Sequence, residues 1–206
     1  MTEQSSGGVE EAFVSRLRET PIKTDELAAF LDGLSHEERV TAIRAVARTE
    51  QGRLYAAAEG FAPVLLRELV PPGVPDLAAV RHFGKNTLPA FTHFEKRFCR
   101  PAGGDAQKPD ELCGFNFQTL SFVTGPGYYV AYEDPDRGEV LVDYRRVPAS
   151  APAGWPAVKR NELGLSRFVY GFMVDTLRRV SEHVTIGSAA RKGRNMGSWF
   201  LLTREP

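Results

Sequence analysis

The sequence predicts an α+β protein: N-terminal helices followed by a curved antiparallel sheet or small barrel, with one helix packed across it. Three observations predict this. Apolar residues recur at helical spacing from Leu17 to Leu69. A breaker cluster, Pro71-Pro72-Gly73-Val74-Pro75, then interrupts the chain. Beyond it, short apolar-alternating runs are separated by turn residues. The chain divides accordingly into a polar tail over 1–8, expected to be disordered, a helical segment over 9–75 and a strand-rich domain over 76–206.

In the helical segment Leu17, Ile22, Leu27, Phe30, Leu31 and Leu34 supply apolar positions, and Thr24 followed by Asp25 and Glu26 starts a helix. Ser35-His36-Glu37-Glu38 fits the capping box, in which the Ser35 hydroxyl and the Glu38 carboxylate each take a backbone N–H. Val40, Ile43 and Ala47, then Leu54, Tyr55 and Ala58, continue the pattern, and Gly60 stops it.

Residues 92–100 fit either a strand, with Phe94 and Phe98 on one face and Lys96 between them, or a helix with Leu88 and Phe91. Residues 115–124 read as a strand whose apolar set changes parity, which places a bulge near Thr119. Gly125-Pro126-Gly127 turns into a strand over 128–132, and residues 133–138 turn into a third over 139–147. Leu165, Phe168, Val169, Phe172, Met173, Thr176, Leu177 and Val180 trace one helical face, predicting a helix near 163–181. Residues 183–186 look extended, Lys192-Gly193-Arg194-Asn195 makes a turn, and 197–204 is a final strand.

Composition excludes several classes. The 13 Phe, 6 Tyr and 2 Trp are too much apolar aromatic material for a disordered chain. The 26 Lys+Arg balance 26 Asp+Glu, so binding of nucleic acid by bulk positive charge is not expected. The balance hides two halves: residues 1–75 hold 8 Lys+Arg and 12 Asp+Glu, residues 76–206 hold 18 and 14. The helical segment could therefore cover a basic face of the rest. The first residues lack a basic stretch followed by an apolar one, and no apolar run approaches the ~20 residues of a membrane-spanning helix. A cytoplasmic protein without a transmembrane segment is expected, with Cys99 and Cys113 as free thiols.

Familiar catalytic patterns are absent. Gly84-Lys85-Asn86-Thr87 lacks the GxxxxGK[ST] spacing of a phosphate loop and reads as a turn before Leu88-Pro89. His36, His82, His93 and His183 have no zinc spacing, the cysteines form no CxxC, and neither a GxSxG elbow nor a dinucleotide fingerprint occurs. No metal and no cofactor are expected.

What remains is aromatic density: Phe115, Phe117, Phe122, Tyr128, Tyr129, Tyr132 and Tyr144 crowd the strands. Such rings serve a sheet core, or line an apolar pocket with hydroxyl anchors. One arginine of Arg145-Arg146 could point inward and hold a carboxylate or phosphate. The pocket reading takes Phe117, Tyr128, Tyr132, Tyr144, Arg145 and Phe172 as ligand-binding residues.

The end of the chain adds a resemblance. Ile186-Gly187, Arg191-Lys192-Gly193 and Gly197-Ser198-Trp199-Phe200-Leu201-Leu202-Thr203-Arg204-Glu205 resemble the end of the plastid-lipid-associated (fibrillin) family. The resemblance implies a lipocalin-like barrel that binds lipids or other apolar molecules, and no binding residue is carried over from it.

Three functions follow as expectations. The first is a binding protein for a small apolar or amphipathic ligand such as a lipid, held in a sheet or barrel interior. The second is an enzyme assembled from His93, Cys99, Cys113 and His183. The third is an interaction module that offers the helical segment to a protein partner.

Overall fold

The computed structural model describes residues 6–89, 92–117, 126–149, 151–161 and 166–206. Four helices come first: α1 (Ser6–Arg18), α2 (Thr24–Asp32), α3 (His36–Ala45) and α4 (Arg48–Ala57). The Ser35 capping box is formed, with Glu38 N–H donating to Ser35 Oγ at 3.3 Å and Ser35 N–H to Glu38 Oε2 at 2.8 Å. Gly60 at φ +68° ends the helical run. A single turn, α5 (Leu66–Leu69), follows.

Eight strands then make one closed barrel in sequence order, every neighbour antiparallel: β1 (Val80–Asn86), β2 (His93–Cys99), β3 (Leu112–Phe117), β4 (Tyr128–Asp134), β5 (Glu139–Asp143), β6 (Met173–Arg179), β7 (Val184–Arg191) and β8 (Arg194–Arg204). Closure pairs β1 with β8, Phe83 opposite Thr203. The β7–β8 turn uses Lys192 and Gly193, both at positive φ, as a two-residue hairpin of this hand requires. The connections β1–β2, β3–β4, β5–β6 and β7–β8 mark one end of the barrel, here the loop end. At the opposite end, Leu66 and Leu69 of α5 join the interior core.

Strand alternation sorts the side chains into two cores. Val80, Phe98, Leu112, Tyr129, Val142, Tyr144, Leu177, Phe200 and Leu202 fill the barrel. Val184, Ile186 and Leu201, on the outer side of β7 and β8, and Val180 in the β6–β7 connection bury Phe13, Leu17, Leu27, Leu31, Ile43 and Leu54 of α1–α4. The helices thus cover the barrel through apolar packing; an ion pair between Arg178 and Glu59, at 3.3 Å, accompanies it. Inside, three cross-strand pairs set a glycine against a ring: Gly84 with Phe94, Gly114 with Tyr129 and Gly187 with Phe200. A Cβ on Gly114 would lie 2.3 Å from the Arg97 carbonyl oxygen and 2.5 Å from the Tyr129 ring. The missing side chains make the room the rings occupy.

Several sequence expectations are corrected. The helix near 163–181 is instead a one-turn helix, α6 (Ser166–Val169), followed by strand β6. Phe172 at φ +63° breaks the helical path. Residues 173–179 then hydrogen-bond with β5 and β7 on both sides, and this demand for closure overrides a 3.6-residue apolar pattern. Residues 6–8, expected in the disordered tail, belong to α1. Gly84-Lys85-Asn86, read as a turn, lies in β1. Residues 92–100, ambiguous in the sequence, form β2. The third strand of the meander ends at Asp143, short of 147. The bulge near Thr119, Gly125 of the first turn and Leu165 lie outside the described residues.

Candidate functional site: a buried polar cluster in the barrel

Alternation along β2 points Phe94, Lys96 and Phe98 inward, and along β6 Met173, Asp175 and Leu177. These strands do not pair, so Lys96 and Asp175 meet across the lumen. Lys96 is 1% exposed and Asp175 3%. The Lys96 ammonium donates to Asp175 Oδ2 at 3.0 Å, to Asn116 Oδ1 at 3.1 Å and to the Tyr144 hydroxyl. Tyr144 also accepts from Asn116 Nδ2 at 2.8 Å and donates to Asp175 Oδ2 at 3.1 Å. Rings wall the ammonium: Tyr144, Tyr129 and Phe200 lie 4.9, 5.0 and 5.0 Å away and Phe94 6.0 Å. Tyr170 stacks on Tyr144 at 5.4 Å and closes the cluster from the α6 side.

The bonding account is nearly complete. All three ammonium donors are used, as are the Asn116 carbonyl and the Tyr144 hydroxyl. Asp175 Oδ1 is the exception: it is buried and accepts no hydrogen bond. Burial holds the Lys96 ammonium below the usual lysine range, partly offset by the Asp175 carboxylate. Burial likewise holds the Tyr144 phenol well above its usual value, so it stays a neutral donor.

A second polar group sits at the α5 end. His82 is fully enclosed; Nε2 lies 2.9 Å from the Leu69 carbonyl oxygen, and burial pushes the ring down to about 3. Beside it a pocket of about 10 Å³ is lined by Leu69, His82, Arg179, His183, Thr185 and Arg204. That is about the space of one water molecule.

Of the six residues singled out in the sequence, Tyr144 alone projects into the barrel. Tyr128 is buried on the outer side of β4, against Phe115 and Trp155, with its hydroxyl donating to the Pro156 carbonyl. Phe117 is 44% exposed at the end of β3, under the Arg97 guanidinium. Tyr132 lies on the outer side of β4 beneath Arg146. Arg145 points outward and grips Asp143 through two bonds, at 2.8 and 2.7 Å. Phe172 is exposed at the loop end, 5.1 Å from the Lys192 ammonium.

The residues of the enzyme reading are not gathered into one site. His93 opens β2 and Cys99 closes it, about 20 Å apart by strand rise. Cys99 and Cys113 face each other across β2 and β3 with sulfurs 2.7 Å apart, as free thiols outside the lumen. His183 sits in the β6–β7 turn beside Arg204. Among the described residues no group of three or more His, Cys, Asp or Glu side chains could hold a metal ion.

Sequence reasoning missed Lys96, Asp175, Asn116 and Tyr170 as a group. The strand reading of 92–100 already set Lys96 on one face with Phe94 and Phe98, which is the signal that could have found it. No family model, curated protein or solved structure matches this chain.

Proposed function

We propose that the protein binds a small apolar or amphipathic molecule, such as a lipid, at the loop end of its barrel. The closed eight-stranded architecture is compatible with ligand binding. The observation that carries the reading is the Lys96–Asp175–Tyr144–Asn116 cluster inside an aromatic lumen. Apolar side chains of similar volume would fill that space at equal or better stability, because a buried ion pair loses more hydration than it regains. A few polar groups among aromatic walls are, in contrast, what orients a small molecule in a pocket.

The loop end also carries exposed apolar residues. Leu88, Phe117, Phe172 and Met196 lie there, four of the five large hydrophobics exposed among the described residues. Side chains fill the middle of the barrel, so the ligand on this reading takes the place of Tyr170 over Tyr144. Segment 166–172 swings out to admit it, with Phe172 as the hinge. A bulky residue at φ +63° is held at a cost of about 1–3 kcal/mol and is released by such a motion. The resemblance of residues 186–205 to the plastid-lipid-associated family points to the same class of ligand. No described helix is long and apolar enough to cross a membrane.

The test uses a variant that removes the buried ion pair, Lys96→Met with Asp175→Leu. Wild type takes up the apolar fluorophore 1-aminoanthracene saturably, with enhanced emission. The double variant, shown to be folded by circular dichroism, loses at least about tenfold in affinity, the equivalent of 1.4 kcal/mol. Equal uptake by both proteins, or none by wild type, sinks the reading.

A further inference from the structure

We infer that the polar group of the bound molecule is a hydrogen-bond donor, a hydroxyl or an N–H, received by Asp175 Oδ1. This rests on the ligand-binding reading above and deepens it. Lys96 has three N–H donors, spent on Asp175 Oδ2, Asn116 Oδ1 and the Tyr144 hydroxyl. The Tyr144 hydroxyl accepts two bonds and gives its hydrogen to Asp175 Oδ2. Asn116 gives one N–H to Tyr144 and receives one from Lys96.

Asp175 Oδ1, the second oxygen of the carboxylate paired with Lys96, therefore has no donor, inside a residue 3% exposed. A buried carboxylate oxygen left so is costly, and a donor that reaches it makes a charge-assisted bond of about twice the ordinary strength. A carboxylate or phosphate head gains nothing comparable. The ammonium that would attract it has no free N–H, and the nearest open atom is negative. This separates the chemistry from that of Arg145, which the sequence offered as an anion anchor. Its guanidinium faces away from the lumen, already bound to Asp143.

The tail of the molecule meets rings. Phe94, Tyr129 and Phe200 surround the cluster, and Met173 stands on the α6 side, where the molecule replaces Tyr170. The class is thus a compact apolar body or chain ending in an alcohol, amide or amine.

A head-group series on one tail tests this with the unmodified full chain. 1-Dodecanol, methyl dodecanoate and sodium dodecanoate are titrated below their aggregation limits, at pH 8, by calorimetry and by native mass spectrometry. The expected result is 1-dodecanol binding at least about tenfold tighter than the other two. Asp175→Asn is the companion variant. Its amide oxygen keeps the Oδ2 bonds, and its NH2 takes the Oδ1 position and turns the open acceptor into a donor. The alcohol then loses its advantage over the methyl ester. If dodecanoate or the ester binds wild type as tightly as dodecanol, the head-group inference falls and the ligand-binding reading stands. If none of the three binds, and 1-aminoanthracene is not taken up, both fall. The series on the unmodified chain decides the matter even where Asp175→Asn fails to fold.

Discussion

His82 shows how one side chain couples this barrel to pH. The free ring ionises near 6.5, whereas the enclosed ring stays neutral down to about 3, because burial penalises its charged form. Below pH 6.5 the unfolded chain takes up a proton that the folded chain refuses. The stability contributed by neutral His82 is therefore full above pH 6.5 and is lost as pH falls towards about 3. The slope is about 1.4 kcal/mol per pH unit. Denaturant titrations at stepped pH check it. His82→Gln keeps an N–H for the Leu69 carbonyl and removes the titration, so the difference between the two stability curves should narrow steadily from pH 6.5 downwards. Parallel curves would mean that His82 ionises in the folded protein. Lys96 and Asp175 illustrate the other residue-scale lesson. A lysine flanked by two phenylalanines looks like an ordinary strand, and only its partner 79 residues away makes it a site.

At the scale of elements, β2 and β3 hold the two thiols in direct register, Cys99 opposite Cys113. The Cys99 S–H hydrogen bond holds the Cys113 thiol below its ordinary value, and the same contact, reinforced by burial, pushes Cys99 up. Cys113, the more acidic and less deeply buried thiol of the pair, is thus expected to react first. With Ellman's reagent it forms a mixed disulfide and expels one thionitrobenzoate; Cys99 then displaces the second and closes a Cys99–Cys113 disulfide. Two equivalents of dye are released, and the protein ends lighter by two hydrogens, with no adduct. A stable adduct on either cysteine, seen by intact mass, would count against the register. Strand β6 carries the largest departure from the sequence reading. The helical reading traced an apolar face over 165–180 that left Asp175 out; as a strand, the same residues turn it into the lumen.

At the scale of the whole molecule, the neutral charge is the sum of an acidic helical segment and a basic strand-rich remainder, yet apolar contact joins them. Val180, Val184, Ile186 and Leu201 are wholly or almost wholly buried beneath α1–α4. A fragment of residues 76–206 exposes all four together and is expected to aggregate or to melt well below the full chain. Light scattering and thermal melts of the two proteins check this; a soluble fragment with an unchanged melting temperature would make the helices a separable arm. The same burial bears on the partner reading, since the faces of α1–α4 turned to β7 and β8 are already occupied.

The sequence by itself determined the local features. The Ser35 box, the stop at Gly60, the turn residues of 133–138 and 192–193, and the alternation of the meander all depend on neighbours within a few positions, so the chain states them directly. One of its two readings of 92–100, the strand, also set Phe94, Lys96 and Phe98 on one face, and only the pairing of β2 with β1 and β3 chose it. Only the tertiary structure decided that the sheet closes, that 173–179 is a strand, and that Lys96, Asn116, Tyr144 and Asp175 converge. Each depends on hydrogen bonds to segments far along the chain. The pairing of β6 with both β5 and β7 outweighed a helical apolar pattern because an unfilled gap would leave two strand edges unpaired. Of the six residues first read as ligand contacts, alternation and closure turned only Tyr144 inward.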